Sequence, residues 1–338
     1  MKKPFLRRLA EDHSQRIRAW VQWSFLALNV WIGVQFWLFV RHYETAGATV
    51  LVSRPAGVEG WLPIAALMNW KYFFETGSLP RIHGAGMFLL GAFFLISILL
   101  RKSFCGWLCP VGTLSETLWK AGRWALGRNF APPRWLDIPL RSLKYVLLGL
   151  FLYAVGSMSA PAIRTFLEGP YGLVADVKML NFFRHMTITV AVVTGLLAVA
   201  SLFIPNFWCR YLCPYGALMG LGALLSPLRI RRSPERCIDC AKCAKECPSL
   251  LPVDRLVQIR SAECLGCMRC VAVCPAEEAL VLGAPRRRKI PATALAAAML
   301  AIFMGTYVWA NAAGRWKTEL PPQMYYNLIP RAHEFGHP

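Results

Sequence analysis

The chain has 338 residues, 56% of them hydrophobic, and a formal net charge of +20. A composition this apolar, with 13 tryptophans, exceeds what a soluble domain of this length needs for its core. The charge alone would suit nucleic acid, but Lys and Arg cluster beside apolar runs, which argues against that partner and for a membrane.

Taken in order, residues 1–19 form a basic arm carrying Lys2, Lys3, Arg7, Arg8, Arg16 and Arg18. Five apolar runs come after it, at roughly 20–40, 84–100, 143–160, 186–205 and 290–310, each near the ~20 residues that cross ~30 Å of hydrocarbon. The first carries Trp20, Trp23, Trp31 and Trp37 as headgroup anchors. It is too long for a signal peptide and no small-residue cleavage site succeeds it, so it reads as an uncleaved first span. Residues 60–70 make an apolar piece too short to cross, read as an interfacial or re-entrant helix.

Most Lys and Arg fall on segments 1–19, 101–144 and 205–289, and few on 41–83, 161–185 and 311–338. The positive-inside rule therefore places the first group in the cytoplasm. The clusters Arg229, Arg231, Arg232 and Arg286, Arg287, Arg288, Lys289 abut apolar runs and suit anionic lipid headgroups. Charge alone sets this topology, and it puts all 12 cysteines on the reducing side.

The second and fourth runs end in one motif. It reads Cys105-Gly106-Trp107-Leu108-Cys109-Pro110-Val111-Gly112 in the first copy and Cys209-Arg210-Tyr211-Leu212-Cys213-Pro214-Tyr215-Gly216 in the second. An outward helix precedes each inward one, so the repeat is a parallel pair of two-helix units. Proline suits the first position of a helix, which makes Cys109 and Cys213 candidate N-caps. The helix dipole, with Arg101, Lys102 or Arg210 nearby, is expected to favour the thiolate. Cys105, Cys109, Cys209 and Cys213 are thus candidates for a third site. A metal or cluster cage and a redox dithiol both remain open, with packing cysteines as the bland alternative. An amphipathic helix is expected from Cys109 to about Gly127, then a proline-rich linker over 128–140.

The strongest motif is Cys237-x-x-Cys240-x-x-Cys243-x-x-x-Cys247-Pro248, repeated as Cys264-x-x-Cys267-x-x-Cys270-x-x-x-Cys274-Pro275. Three cysteines at three-residue steps wrap one cluster, and the fourth serves its neighbour. The expected ligand sets are Cys237, Cys240, Cys243 and Cys274 for one [4Fe-4S] cluster, and Cys264, Cys267, Cys270 and Cys247 for the other. Structural zinc takes close pairs of ligands from two loops, which is not this pattern. His83 and His185 precede the two membrane motifs at the outer ends of equivalent runs, beside Arg81 and Arg184. They are candidates for haem b or a quinol headgroup, against the plainer reading of interfacial histidines bonded to water.

Together the two motif types resemble the membrane polyferredoxins of the NapH/NosR kind, over about residues 20–280. The resemblance implies electron exchange between the quinone pool and a partner reductase system, as an electron-transfer subunit of a quinol dehydrogenase. It carries functional positions onto Cys105, Cys109, Cys209, Cys213 and the eight ferredoxin cysteines. The chain differs in lacking a large outer flavin-binding domain of the NosR sort and in having a fifth run and tail. Similarity to CcoG-like assembly ferredoxins implies the alternative, an accessory redox factor for maturation of a metalloenzyme, without turnover of its own.

The expected fold is a mainly α membrane protein with five transmembrane helices, an internal parallel two-helix repeat and a small α+β two-cluster ferredoxin domain. The expected divisions are a basic cytoplasmic arm (1–19), a four-helix membrane domain with two CxxxCP motifs (20–228), a cytoplasmic ferredoxin domain (229–285), a fifth transmembrane helix (286–312) and a periplasmic tail (313–338). A bacterial-type inner membrane is the expected location. Lipid, quinone or quinol, and redox proteins are the expected partners, and nucleic acid is not.

Overall fold

The computed structural model describes residue 8 and residues 11–284, 288–318 and 320–337. Lys2, Lys3 and Arg7 of the basic arm, Arg286 and Arg287 of the second cluster, and the expected boundary at 285/286 lie outside the described residues. The chain is mainly helical, with one two-stranded sheet among the described residues.

Helices α1 (Ser14–Glu44), α2 (Pro63–Thr76), α3 (Gly84–Leu100), α4 (Pro110–Leu126) and α5 (Arg134–Ser157) come first. Short helices α6 (Ala160–Glu168), α7 (Pro170–Leu173) and α8 (Ala175–Arg184) lead into α9 (Ile188–Phe203), α10 (Phe207–Tyr211) and α11 (Pro214–Leu224). Strand β1 (Arg229–Arg232), α12 (Lys242–Lys245), α13 (Arg269–Ala272) and β2 (Leu280–Gly283) form the cysteine-rich insert, and α14 (Ala292–Ala312) and α15 (Pro322–Leu328) close the chain.

Among the described residues three helices, α1, α5 and α14, are long and apolar enough to cross a membrane, and α8 with α9 makes a fourth if that pair, bent by 80°, is one span. The protein is thus a membrane protein with three to four candidate spans, fewer than the five runs suggest. The difference lies in α3 and α9, which are apolar but only 17 and 16 residues long. The linker expected over 128–140 is also shorter, because α5 already starts at Arg134 and carries Pro139 inside it. Asp137 explains this early start. It is an acid in the first turn, where the helix dipole favours one, and it is held by Arg210 through two 2.8 Å bonds.

The chain divides into two compact units, one made of residues 1–26, 93–148 and 195–302, the other of 27–92, 149–194 and 303–338. Every change from one unit to the other falls inside a helix, namely α1, α3, α5, α9 and α14.

In the first unit β1 and β2 pair antiparallel, Arg229 opposite Gly283 and Arg232 opposite Leu280. Ile230, Leu280 and Leu282 turn their side chains into the core while the two cysteine runs loop out between the strands. Helix α4 packs on the end of α9 so closely that a Cβ on Gly122 would stand 1.9 Å from the Leu202 carbonyl oxygen. Only glycine fits there. In the second unit Phe36, Phe39, Val40 and Tyr43 of α1 form a core with Val58, Val174, Val177 and Ile329. Lys71 of α2 donates to the carbonyls of Gly156 and Met158 at the C-terminal end of α5, where free carbonyls and the dipole both favour a cation.

Candidate functional site

The two cysteine runs fold alike. In each, the residues on either side of the second cysteine take the left-handed conformation: Asp239 and Ala241 around Cys240, Gly266 and Met268 around Cys267. Non-glycine residues adopt that conformation at a cost. Turns of this kind aim successive backbone N–H groups to one side, an arrangement that holds anions. Short helices then start at Lys242 and Arg269.

The result is two chambers. One is lined by Cys237, Cys240, Cys243 and Cys274, together with Asp254. The other is lined by Cys264, Cys267, Cys270 and Cys247. Each run therefore sends its last cysteine to the other chamber, and each chamber is ringed by four thiols. Burial pushes the Cys243 thiol up to about 11 and Cys247 up to about 12, so these two thiols hold their protons until a metal displaces them. Among the described residues, no three His, Cys, Asp or Glu side chains converge tightly enough for a single metal ion. Four thiols around one chamber are the ligand set of a polynuclear cluster. Cys240 is exposed, and gives the first chamber an edge toward solvent.

The two CxxxCP motifs also share one local fold. Cys109 N–H donates to the Phe104 carbonyl at 2.9 Å and Cys213 N–H to the Trp208 carbonyl at 3.0 Å, both spanning five residues. Such π-type turns gather at functional sites. Proline then opens a helix in each copy, with Cys109 and Cys213 as its N-caps. Gly216 N–H donates to the Cys213 sulfur at 3.2 Å. Cys105, Cys109, Cys209 and Cys213 lie close enough to act on one another electrostatically. The expected thiolate character is corrected, however. Burial outweighs the helix dipole and Lys102, pushing Cys105 up to about 12 and Cys109 to about 11.

This four-cysteine group abuts the second chamber. A Cβ on Gly106 would stand 2.8 Å from the Leu265 carbonyl and 3.7 Å from Cys267 Cβ, and Trp107 Nε1 donates to the Gly266 carbonyl at 3.1 Å. The start of α1 clamps the same loop, since Arg18 and Gln22 donate to the Gly106 carbonyl and both reach Glu116. Burial works against the Glu116 carboxylate, but Arg18 and Lys120 outweigh it and hold it down at about 2. Arg8 and Gln15 of the arm bind the carbonyls of Val271 and Cys267, so these arm residues tie the arm to the ferredoxin insert.

Several residues that spacing could not single out complete the site. Lys144 of α5, fully buried, donates to both Glu263 oxygens at 2.6 Å, and Lys102 lies 3.9 Å from the same carboxylate. Glu263 immediately precedes Cys264. A cleft of about 440 Å³ opens beside the second chamber, lined among others by Trp119, Phe130, Arg134, Cys247 and Asp254. The guanidinium groups of Arg123 and Arg269 each stand over the Trp119 ring, whose buried indole N–H has no acceptor among the described residues.

His83 and His185 are not brought into a common site. His83 is buried: its Nε2 meets the Gly172 carbonyl at 2.8 Å and its Nδ1 stands 3.6 Å from Glu59. Burial works against a charged His83 imidazole, but Glu59, with Asp176, outweighs it and holds His83 above the usual histidine range. Burial likewise opposes the Glu59 carboxylate, and Arg54 and His83 hold it down at about 2. Arg54 bridges Glu59 and Asp176 at 2.8 and 2.7 Å, and Thr318 donates to Glu59 at 2.8 Å. With its nitrogens so placed, His83 acts as part of a buried polar clasp. His185 is exposed at the end of α8 and takes no part in it.

Two thiol chambers in an insert between membrane helices define a ferredoxin-type 4Fe-4S membrane protein. A family profile described as a 4Fe-4S binding domain matches twice, over residues 82–129 and 186–233, once on each CxxxCP copy. A second, described as a 4Fe-4S dicluster domain, matches residues 229–278. YccM of Escherichia coli (strain K12) is 51% identical over 92% of this chain and 89% of its own length. The chain belongs to this family of NapH/NosR-like membrane polyferredoxins. Protein NirI of Paracoccus denitrificans (strain Pd 1222) is 34% identical over 64% of this chain and 32% of its own length. Ferredoxin-type protein NapH of Escherichia coli (strain K12) is 28% identical, over 48% of this chain and 56% of its own. No solved structure matches.

Proposed function

We propose that this chain is a membrane-bound iron–sulfur electron-transfer protein that exchanges electrons between the quinone pool and a partner reductase system. The observation that carries the reading is the pair of chambers, each ringed by four thiols drawn crosswise from the two runs. Cys237, Cys240, Cys243 and Cys274 would hold one [4Fe-4S] cluster, and Cys264, Cys267, Cys270 and Cys247 the other. Such clusters supply one-electron carriers. Cys105, Cys109, Cys209 and Cys213 form a third redox site against the second chamber, and the common local fold of their motifs supports an internal repeat.

The cleft beside Cys247 supports a quinone headgroup on the inner side, since it joins aromatic walls to cationic donors. The five apolar runs and the distribution of Lys and Arg between them support five spans in an inner membrane, with the arm and ferredoxin domain cytoplasmic and the tail periplasmic. Haem at His83 and His185 finds no support in the clasp geometry.

The test is quinol-driven reduction of the clusters in proteoliposomes. Wild-type protein should be reduced, and the double variant Cys109→Ser, Cys213→Ser should be reduced at least ~10-fold more slowly with both ferredoxin clusters intact, a change of about 1.4 kcal/mol in barrier. No reduction of wild-type protein by quinol would favour the accessory maturation factor, which needs no quinol site. Unchanged rates in the double variant would make the motif cysteines structural.

A further inference from the structure

Lys102 and Lys144 are 2% and 0% exposed, and they share one carboxylate, Glu263. Nearby, Arg210 and Arg141 likewise share the single carboxylate of Asp137. Arg101, also 1% exposed, donates to the Ser261 carbonyl and has no ion pair among the described residues. Among those residues the cations of this region thus outnumber the carboxylates. An unpaired buried charge is expensive, so a fold that keeps these cations must offset them.

Lys144 is the costliest of them to place. It lies ten residues into α5, where the polar first turns give way to the apolar run, and it is fully buried in protein. A buried ammonium group is costly unless it is paired. Its partner Glu263 neutralises only one of the two ammonium groups. Lys102 precedes Cys105 by only three residues, so the motif thiols are the next groups the two ammonium charges meet. Lys102 and Lys144 act on Cys105 and Cys213, and Lys102 also on Cys209.

We infer that Lys102 and Lys144 are the counter-charges of an anionic, thiolate-held cofactor on Cys105, Cys109, Cys209 and Cys213, and that they raise its reduction potential. The inference rests on the proposed reading of these cysteines as a redox site, and it chooses between the alternatives left open there. A dithiol or disulfide is neutral and would leave the surplus cation bare. A cubane held by four thiolates carries net negative charge in each oxidation state it uses. A cation beside it favours the more negative, reduced form.

The experiment is a redox titration followed by EPR on anaerobically purified full-length protein, with iron content measured alongside. Wild-type protein should hold more iron than the two ferredoxin clusters need, and show a third signal. In Lys102→Met and in Lys144→Met the midpoint of that signal should shift negative, more than either ferredoxin signal moves. Lys144→Arg keeps the charge and should restore the wild-type value. Loss of the third cofactor in Lys144→Met but not in Lys144→Arg would equally support a charge role. Unmoved midpoints in both Met variants, or equal loss in Lys144→Met and Lys144→Arg, would overturn the assignment of the lysines while leaving the redox site. Iron for only two clusters in wild-type protein would overturn the cofactor itself.

Discussion

His83 shows how one buried side chain ties distant stretches together. Its backbone N–H donates to Thr318 at 3.0 Å, its ring faces Gly172 and Glu59, and its carbonyl accepts from Asn69 at 3.0 Å. Burial opposes the charged imidazole, yet Glu59 and Asp176 hold it above its usual 6.5, so the charged form adds stability that is complete below that value. The contribution is lost as pH rises through the raised folded-state value. Amide exchange around residue 83 and Thr318, followed by mass spectrometry, should therefore quicken on the alkaline side of the histidine range. In His83→Gln that step should disappear. A pH profile identical in the two proteins, after correction for intrinsic exchange, would count against the clasp.

Among the elements, the two CxxxCP turns are alike but not equally tight. A Cβ on Gly112 would stand 2.4 Å from the Cys105 carbonyl, whereas on Gly216 it would stand 3.5 Å from the Cys209 carbonyl. Real Cβ atoms do not approach backbone as closely as the first distance. Gly112→Ala should therefore cost about 1–3 kcal/mol by overpacking and disturb the cofactor proposed for the four cysteines. Gly216→Ala should be close to neutral, and iron content with thermal unfolding in detergent would compare them. Equal behaviour of the two variants would show that the motifs relax in ways the packing does not predict.

The same elements show what the sequence could reveal. The cysteines were legible because ligand type and spacing are local, and a proline after the last cysteine of each motif marks its end. Lys144 and Glu263 were not, since they lie 119 residues apart and neither sits in a pattern. Arg54 and Asp176, separated by 122 residues, were hidden for the same reason. Pro139 misled in the opposite direction. Proline in a polar stretch reads as linker, yet the Asp137 to Arg210 pair holds that stretch in the first turns of α5.

Across the full chain, the two short apolar helices, α3 and α9, are the ones that run into the CxxxCP turns. At ~1.5 Å per residue they rise about 26 and 24 Å, less than the ~30 Å of a hydrocarbon core. A span that ends early draws the next segment toward the membrane boundary, so short helices suit thiols at that depth. α14, with 21 residues, needs no such allowance. If it crosses fully, the insert and the tail lie in different compartments. Reporter fusions after Glu235, in the insert, and after Gly314, beyond α14, should then report opposite sides, with the insert on the cytoplasmic one. Both reporters on one side would remove α14 as a span.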